Sequence, residues 1–454
     1  MHPYPIGNGT VSARIPREVS ALLDALQLEG ANTDALLALE ESEWRRLLEF
    51  CDLAHLALPL SQAKRTGFPA WVSERLAENV RDNAQRFERV KAVYIEASAA
   101  MRHAGVSHVV LKGFTQVPDY VTEGPLRNQS DIDVYCPQEH IENAQAALIK
   151  MGYEPNGAAD RQSDHLPGLT RPGTWRWRGN AYDPDMPLAI ELHFCLWNAQ
   201  VWLIEIPEIE RFWERRIMRQ LEKMEFCALH PVDQLCYLAL HIVRGVLGGD
   251  WIVHHVLELA TFLHNRKRDV EFWSQWHQMH SAGLRRLEAL AFALAHSWFS
   301  CALPEVARVE VSRLPPDHQR WLKRFGGAPL EVMFRHNKDG RLLQLLLTRS
   351  RLSRQAVLRR TIFPTRLPAP SSPDVRLRYR RPLKKSERNR FAVYTQFLVR
   401  TAFANVGANI VFLLHGATLW FSSRALSSQF WVFLAVCFFL TSGSPSTSSS
   451  SISS

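Results

Sequence analysis

Val109-Val110-Leu111-Lys112-Gly113 is followed, after a short intervening segment, by Arg127-Asn128-Gln129-Ser130-Asp131-Ile132-Asp133-Val134. The first run reads as an apolar strand ending at a Gly turn. The second reads as a strand that opens on two acids. Side chains alternate along a strand, so Asp131 and Asp133 share one face. Acids are depleted in strands, and a pair on one side implies a cation nearby. A divalent metal bound by hard oxygen ligands is the usual such cation. Downstream, Leu188-Ala189-Ile190-Glu191-Leu192-His193-Phe194 sets one more carboxylate in a strand-like apolar run. The duller alternative is an exposed strand edge, which tolerates acids.

Working outward, Pro137 and the acidic Glu139 to Glu142 open a helix that runs to Gly152, a natural stop. A loop rich in Pro, Gly, Asp and Arg fills residues 154–187 before the Glu191 strand. Within it, Arg171-Pro172-Gly173-Thr174-Trp175-Arg176-Trp177-Arg178 interleaves cations and indoles. Such a loop stacks nucleobases, or forms a hairpin whose indoles cover the sheet, the preferred reading here. The flanks are helical by apolar spacing, with Ser42 a candidate cap for one helix. The expected class is α+β. The expected units are a helical region over 1–104, a mixed core over 105–228 and a helical region over 229–348. A basic, Pro-containing segment over 349–400 and a hydrophobic, Ser-rich tail over 401–454 complete the chain.

A length of 454 residues predicts two or three units. A hydrophobic fraction of 46% and a charged fraction of 22% permit a large buried core. Seven cysteines without a Cys-x-x-Cys pair argue against a disulfide framework and for a reducing compartment. The first residues lack the basic head and apolar run of a secretory signal, so a cytoplasmic location is expected. The net charge of +9 is uneven: residues 349–400 hold 15 Lys/Arg against Asp374 and Glu387. Such a segment suits nucleic acid, anionic lipid or polyphosphate, and a solvated linker has the same composition.

From Thr401 onward Arg424 is the only charged side chain. The run 401–423 has the length of a bilayer span, about 20 residues, but contains Asn405, Asn409, His415 and Thr418. Phe430 to Leu440 is shorter and wholly apolar. Membrane contact through 401–440 and a buried helical pair are both open readings.

Leu111-Lys112-Gly113, Arg127 with Ser130-Asp131-Ile132-Asp133-Val134, and Ile190-Glu191-Leu192-His193 together resemble the uncharacterised nucleotidyltransferase family of the DNA polymerase β superfamily. The segments from Asp250 to Leu263 and from Phe363 to Tyr379 also look like that family, and the resemblance covers roughly residues 16–400. It implies a polymerase β-like core, a small mixed sheet with flanking helices. It implies two magnesium ions held by Asp131, Asp133 and Glu191, with Glu191 accepting the proton of the attacking hydroxyl. Two metals clamp the attacking and leaving oxygens of an in-line displacement. The Gly113 turn would lie against the triphosphate, where no side chain blocks the backbone. The wider superfamily has Gly-Gly or Gly-Ser at this turn, whereas this chain has Gly113-Phe114. Lys112 would then supply compensating charge, and Arg127 would bind phosphate or orient Asp131. His193 shares a face with Glu191 and reads mainly as a hydrogen-bonded structural residue. His241, His254, His255 and His264 lack zinc spacing and read as helix contacts. Neither a P-loop nor a Gly-x-Ser-x-Gly elbow occurs.

The expected activity is magnesium-dependent transfer of a nucleoside monophosphate from ATP or another NTP to a hydroxyl acceptor, small molecule, protein or RNA. The alternative is a catalytically weak nucleotide-binding or partner-binding protein of the same fold, tethered by its C-terminal tail.

Overall fold

The computed structural model describes residues 15–63, 67–156, 164–363 and 390–421. Seven strands form one mixed sheet: β1 Val109–Val110, β2 Asp131–Tyr135, β3 Glu154–Pro155, β4 Leu169–Thr170, β5 Ala189–His193, β6 Ile217–Leu221 and β7 Met224–Ala228. Their order is β3-β4-β5-β2-β1-β7-β6. β2 and β5 are parallel and central, which places the two acid-bearing strands side by side. β1 is antiparallel to β2 and parallel to β7. The α+β expectation holds, with helices before, between and after the strands.

The crossover from β2 toward β5 uses the helix Ile141–Lys150. Ile141, Ala144, Ala147 and Leu148 are its buried face, the spacing of one helical stripe. Gly152 ends it at φ +84°, and Tyr153 N donates to Leu148 O, a left-handed stop that spares the last carbonyls. The expected 154–187 loop instead carries β3 and β4, each two residues long. The Arg/Trp segment within it is not a hairpin. Residues 171–178 have no regular structure, because Asp183 captures Trp175 Nε1 at 3.0 Å and Arg178 Nε at 2.8 Å. The β6–β7 hairpin went unread in the sequence; it turns at Glu222, which sits at φ +53°.

Strand alternation splits the sheet into two faces. Ile132, Val134, Ile190 and Leu192 join Phe87, Val90, Tyr94, Ala97 and Met101 of the helix Ala70–His103 in one apolar cluster. The opposite face carries Asp131, Asp133, Glu191 and His193. The helices Pro231–Gly248 and Val253–Asn265 belong to a second, larger core that also includes Val109, Leu111 and Tyr135. The acids therefore lie in a seam between the sheet and the second helical layer.

The helix Arg351–Ile362 opens the expected basic segment, and residues 364–389 lie outside the described residues. A further helix, Arg390–Phe421, contains the first C-terminal apolar run. By length and composition its window Ala402–Leu419 is apolar enough to cross a membrane. The second run, 430–440, lies outside the described residues.

Candidate functional site

The end of β1 delivers the first side chain. Leu111 N donates to Asp133 O at 3.1 Å, extending the ladder one residue beyond Val110. Lys112 comes next, and its Nζ lies 3.2 Å from Asp133 Oδ2. Gly113 then turns at φ +71°, where a Cβ is costly. A Cβ there would sit 2.2 Å from Gln129 Nε2, which donates to Asp131 O at 2.8 Å. The glycine thus lets the turn press against the entry to β2.

The turn is also held from its inner side. Gln234 Nε2 donates to Thr115 O at 2.9 Å and Oγ1 at 3.1 Å. Arg219 donates to Thr115 O at 2.6 Å and Val117 O at 2.8 Å. Phe114 is buried against Tyr94 and Phe226, with ring centroids 5.0 Å away in both cases. A hydroxyl therefore exists one residue past Phe114, but it is committed inward to Gln234.

Parallel register pairs Asp133 with Glu191, Tyr135 with His193 and Asp131 with Ala189. His193 Nε2 donates to Asp133 Oδ1 at 2.9 Å. Ligating atoms of Asp133, Glu191 and His193 all lie within 4.8 Å of one another. Burial opposes ionisation of Asp133, yet Lys112 and His193 hold it well below the usual carboxylate range. Burial first, and then the Asp133 charge, push Asp131 up to about 7. Asp133 is thus neutralised by side chains, while at Asp131 the charges of Lys112 and Arg127 do not offset burial and the Asp133 charge. That deficit beside convergent oxygen and imidazole ligands fits a divalent ion.

Further charge comes from neighbouring segments. Phe194 N donates to Asp164 O at 3.0 Å and Leu166 N to Leu192 O at 2.9 Å, so residues 164–166 run along the end of β5. This brings His165 Nε2 to 3.8 Å from Glu191 Oε2 and Asp164 Oδ2 to 3.9 Å from His193 Nδ1. Arg244 pairs with Asp164 and donates to His241 Nδ1 at 2.9 Å. Tyr237, His241 and Arg244 are spaced four and three apart on Pro231–Gly248, which puts them on one face. Burial, followed by the Lys112 charge, keeps His241 neutral.

Arg127 is placed differently from the acids. Its Nε donates to Glu258 Oε1 at 2.7 Å, and His255 Nδ1 donates to Glu258 Oε2 at 3.1 Å. Against the cost of burial, Arg127 and His255 pull Glu258 down to about 2. The guanidinium is thus engaged by the helix Val253–Asn265. The helix histidines pack on one another: His254 and His255 centroids are 3.9 Å apart, and those of His241 and His255 are 4.5 Å apart. These are interior contacts, as their spacing suggested.

The approaches to both acid strands are clamped by one turn of Ala70–His103. Asn83 Nδ2 donates to Pro125 O at 2.6 Å and Arg127 O at 3.0 Å. Arg86, buried, donates to Gln129 O at 2.9 Å, Asp183 O at 3.1 Å and Met186 O at 2.9 Å. One guanidinium thus ties the entry of β2 to the entry of β5. Lys112, Gly113, Asp131, Asp133 and Glu191 are brought together, and Arg127 stands beside them on Glu258. His165, Asp164, Arg244 and Tyr237 were missed in the sequence, since each lies in a loop or helix with no motif of its own.

A central parallel pair carrying acids in register thus stands beside a Gly turn and under a helical layer. The profile of the uncharacterised nucleotidyltransferase family matches residues 40–300, and the chain belongs to that family. Family membership supports nucleotidyl transfer as the general chemistry and a nucleotide as substrate. No curated protein matches the chain significantly, and no solved structure does.

Proposed function

We propose that the protein transfers a nucleoside monophosphate from an NTP to a hydroxyl acceptor, with pyrophosphate as the leaving group, on a polymerase β-like core. The observation that carries this reading is the in-register pairing of Asp133 with Glu191, two residues from Asp131 on the same face. Asp131, Asp133 and Glu191 would hold two magnesium ions, which supply charge neutralisation for the triphosphate and a more acidic acceptor hydroxyl. The chain's own residues then divide the remaining work. Glu191, whose side chain is partly exposed, takes the acceptor proton. The Gly113 turn, seated against the Gln129 side chain, offers backbone N–H groups to phosphate oxygens. Lys112, 3.2 Å from Asp133, offers positive charge at the same turn. Arg127 keeps the 125–131 approach in place through Glu258.

One observation favours the weaker reading, a nucleotide-binding protein without fast transfer. Both Asp133 oxygens already have partners, Lys112 at 3.2 Å and His193 at 2.9 Å. The two readings part in a single series. Full-length protein is mixed with magnesium, labelled ATP, GTP, CTP or UTP, and hydroxyl acceptors, and nucleotide binding is measured by calorimetry alongside transfer. Binding with label transfer, both lost in Asp131→Asn/Asp133→Asn, is expected. Binding without transfer leaves the weaker reading standing, and absence of magnesium-dependent nucleotide binding removes both.

A further inference from the structure

The helix Arg390–Phe421 is held to the body by the polar residues that interrupt its apolar run. Lys338 Nζ donates to Asn405 Oδ1 and Asn409 Oδ1, both at 2.6 Å, and to Thr361 O at 2.6 Å. Asn409 Nδ2 donates to Ile362 O at 3.2 Å. His415 Nδ1 meets Asp339 Oδ1 at 2.7 Å, and its ring lies 4.9 Å from that of Phe325. Arg324 donates to Thr418 O at 2.8 Å. Ala408, Phe412 and Leu419 are buried on this same side.

The other side is inverted relative to an ordinary surface helix, whose outer face is polar. Phe403 is 74% exposed, Val406 55%, Ile410 55% and Leu414 60%. Their spacing of three, four and four makes one continuous stripe. Ala402 and Gly407 widen it, and no charged side chain occurs from 401 to 423. An apolar stripe of this kind marks an interaction surface. Its border is basic and also partly apolar. Ile362, reached by Asn409, is followed by exposed Phe363, and the same helix exposes Arg351, Leu352 and Arg359. The chain from 349 to 400 carries a net charge of +13.

We infer that this face rests on an anionic lipid bilayer, with the helix lying in the plane of the interface. Charge selects the occupant: an apolar stripe whose neighbouring helix exposes Arg351 and Arg359, in a stretch of sequence with net charge +13, matches acyl chains beneath anionic headgroups. A second copy of the chain would bring the same positive charge against itself. Spanning is disfavoured by the docked side, because Lys338 and Asp339 would have to leave Asn405, Asn409 and His415. The stripe instead dips its four side chains into the headgroup boundary while the polar side stays on the protein. The surface is independent of the nucleotide chemistry.

The test is flotation of full-length protein with vesicles of phosphatidylcholine alone and of equal parts phosphatidylcholine and phosphatidylserine. Binding is expected only with phosphatidylserine and is expected to fall as salt rises. Phe403→Asp/Ile410→Asp is expected to lower partitioning roughly tenfold or more, since each buried apolar side chain contributes well above thermal energy. Both positions are exposed, so thermal unfolding of the variant should match the parent. Equal flotation of variant and parent overturns the inference by assigning the contact elsewhere, such as 430–440. Failure to float with either vesicle overturns it too. So does a dimer in sedimentation velocity that Phe403→Asp/Ile410→Asp dissociates, without lipid binding.

Discussion

His280 is fully buried between two acids, far from the Asp131/Asp133 seam in sequence, and it sets a measurable pH dependence. Its Nε2 lies 3.2 Å from Asp233 Oδ1 and its Nδ1 3.0 Å from Glu288 Oε2. Arg215 also pairs with Asp233 at 2.6 Å, and Trp276 Nε1 donates to Glu288 Oε1 at 2.9 Å. Burial lowers a histidine pKa, but Glu288 and Asp233 overcome it and raise this one from 6.5 to about 9. That rise corresponds to about 3 kcal/mol of stability, in order of magnitude. The sign follows from which state binds the proton. Below 6.5 the ring is charged folded or unfolded, and the full contribution is present. Above 6.5 the unfolded chain releases its proton first, and the contribution declines until it is gone above about 9. His280→Gln removes a buried cation from two acids and should cost about 3–5 kcal/mol near pH 6. The gap between parent and variant should shrink by about 3 kcal/mol near pH 9.5, read from urea unfolding of the full chain at each pH. A gap that stays constant across that range would refute a charged His280 in the folded state.

Gly113→Ala combines a left-handed φ with a Cβ that overlaps the Gln129 amide, and should cost about 3 kcal/mol. Gly113→Ala/Gln129→Ala should recover part of that loss in thermal unfolding; no recovery would separate the strain from Gln129. Arg127→Met leaves Glu258 buried without its guanidinium and should cost about 3–5 kcal/mol. Arg127→Met/Glu258→Leu should restore much of the stability while still lowering nucleotide affinity if Arg127 also serves phosphate. Unchanged affinity in the double variant would make Arg127 purely structural.

The acids were legible because chemistry overrides propensity there. Asp131, Asp133 and Glu191 stand out against apolar strands that disfavour them, and strand alternation already placed the first two on one face. Gly152 was legible as a stop for the same local reason: a left-handed terminus needs no distant partner. The β6–β7 hairpin was not, since Ile217-Met218-Arg219-Gln220-Leu221 alternates weakly and is only half-buried. The Arg/Trp segment misled because Trp175 and Arg178 have a specific acceptor, Asp183, that no periodicity announces.

By itself, then, the chain's sequence determined the acid-bearing strands, the Gly turn, the α+β class and the family. These are short-range properties, set by alternation, spacing and residue type. Tertiary structure alone decided that Asp133 faces Glu191 in parallel register, that Lys112 and His193 neutralise Asp133, and that Arg127 answers to Glu258. It likewise decided that Asn405, Asn409 and His415 bind the body while Phe403 to Leu414 face outward. Register, ion pairing and the orientation of a helix depend on groups far apart in the chain. Their energies arise only once packing has removed water and brought them within a few ångströms.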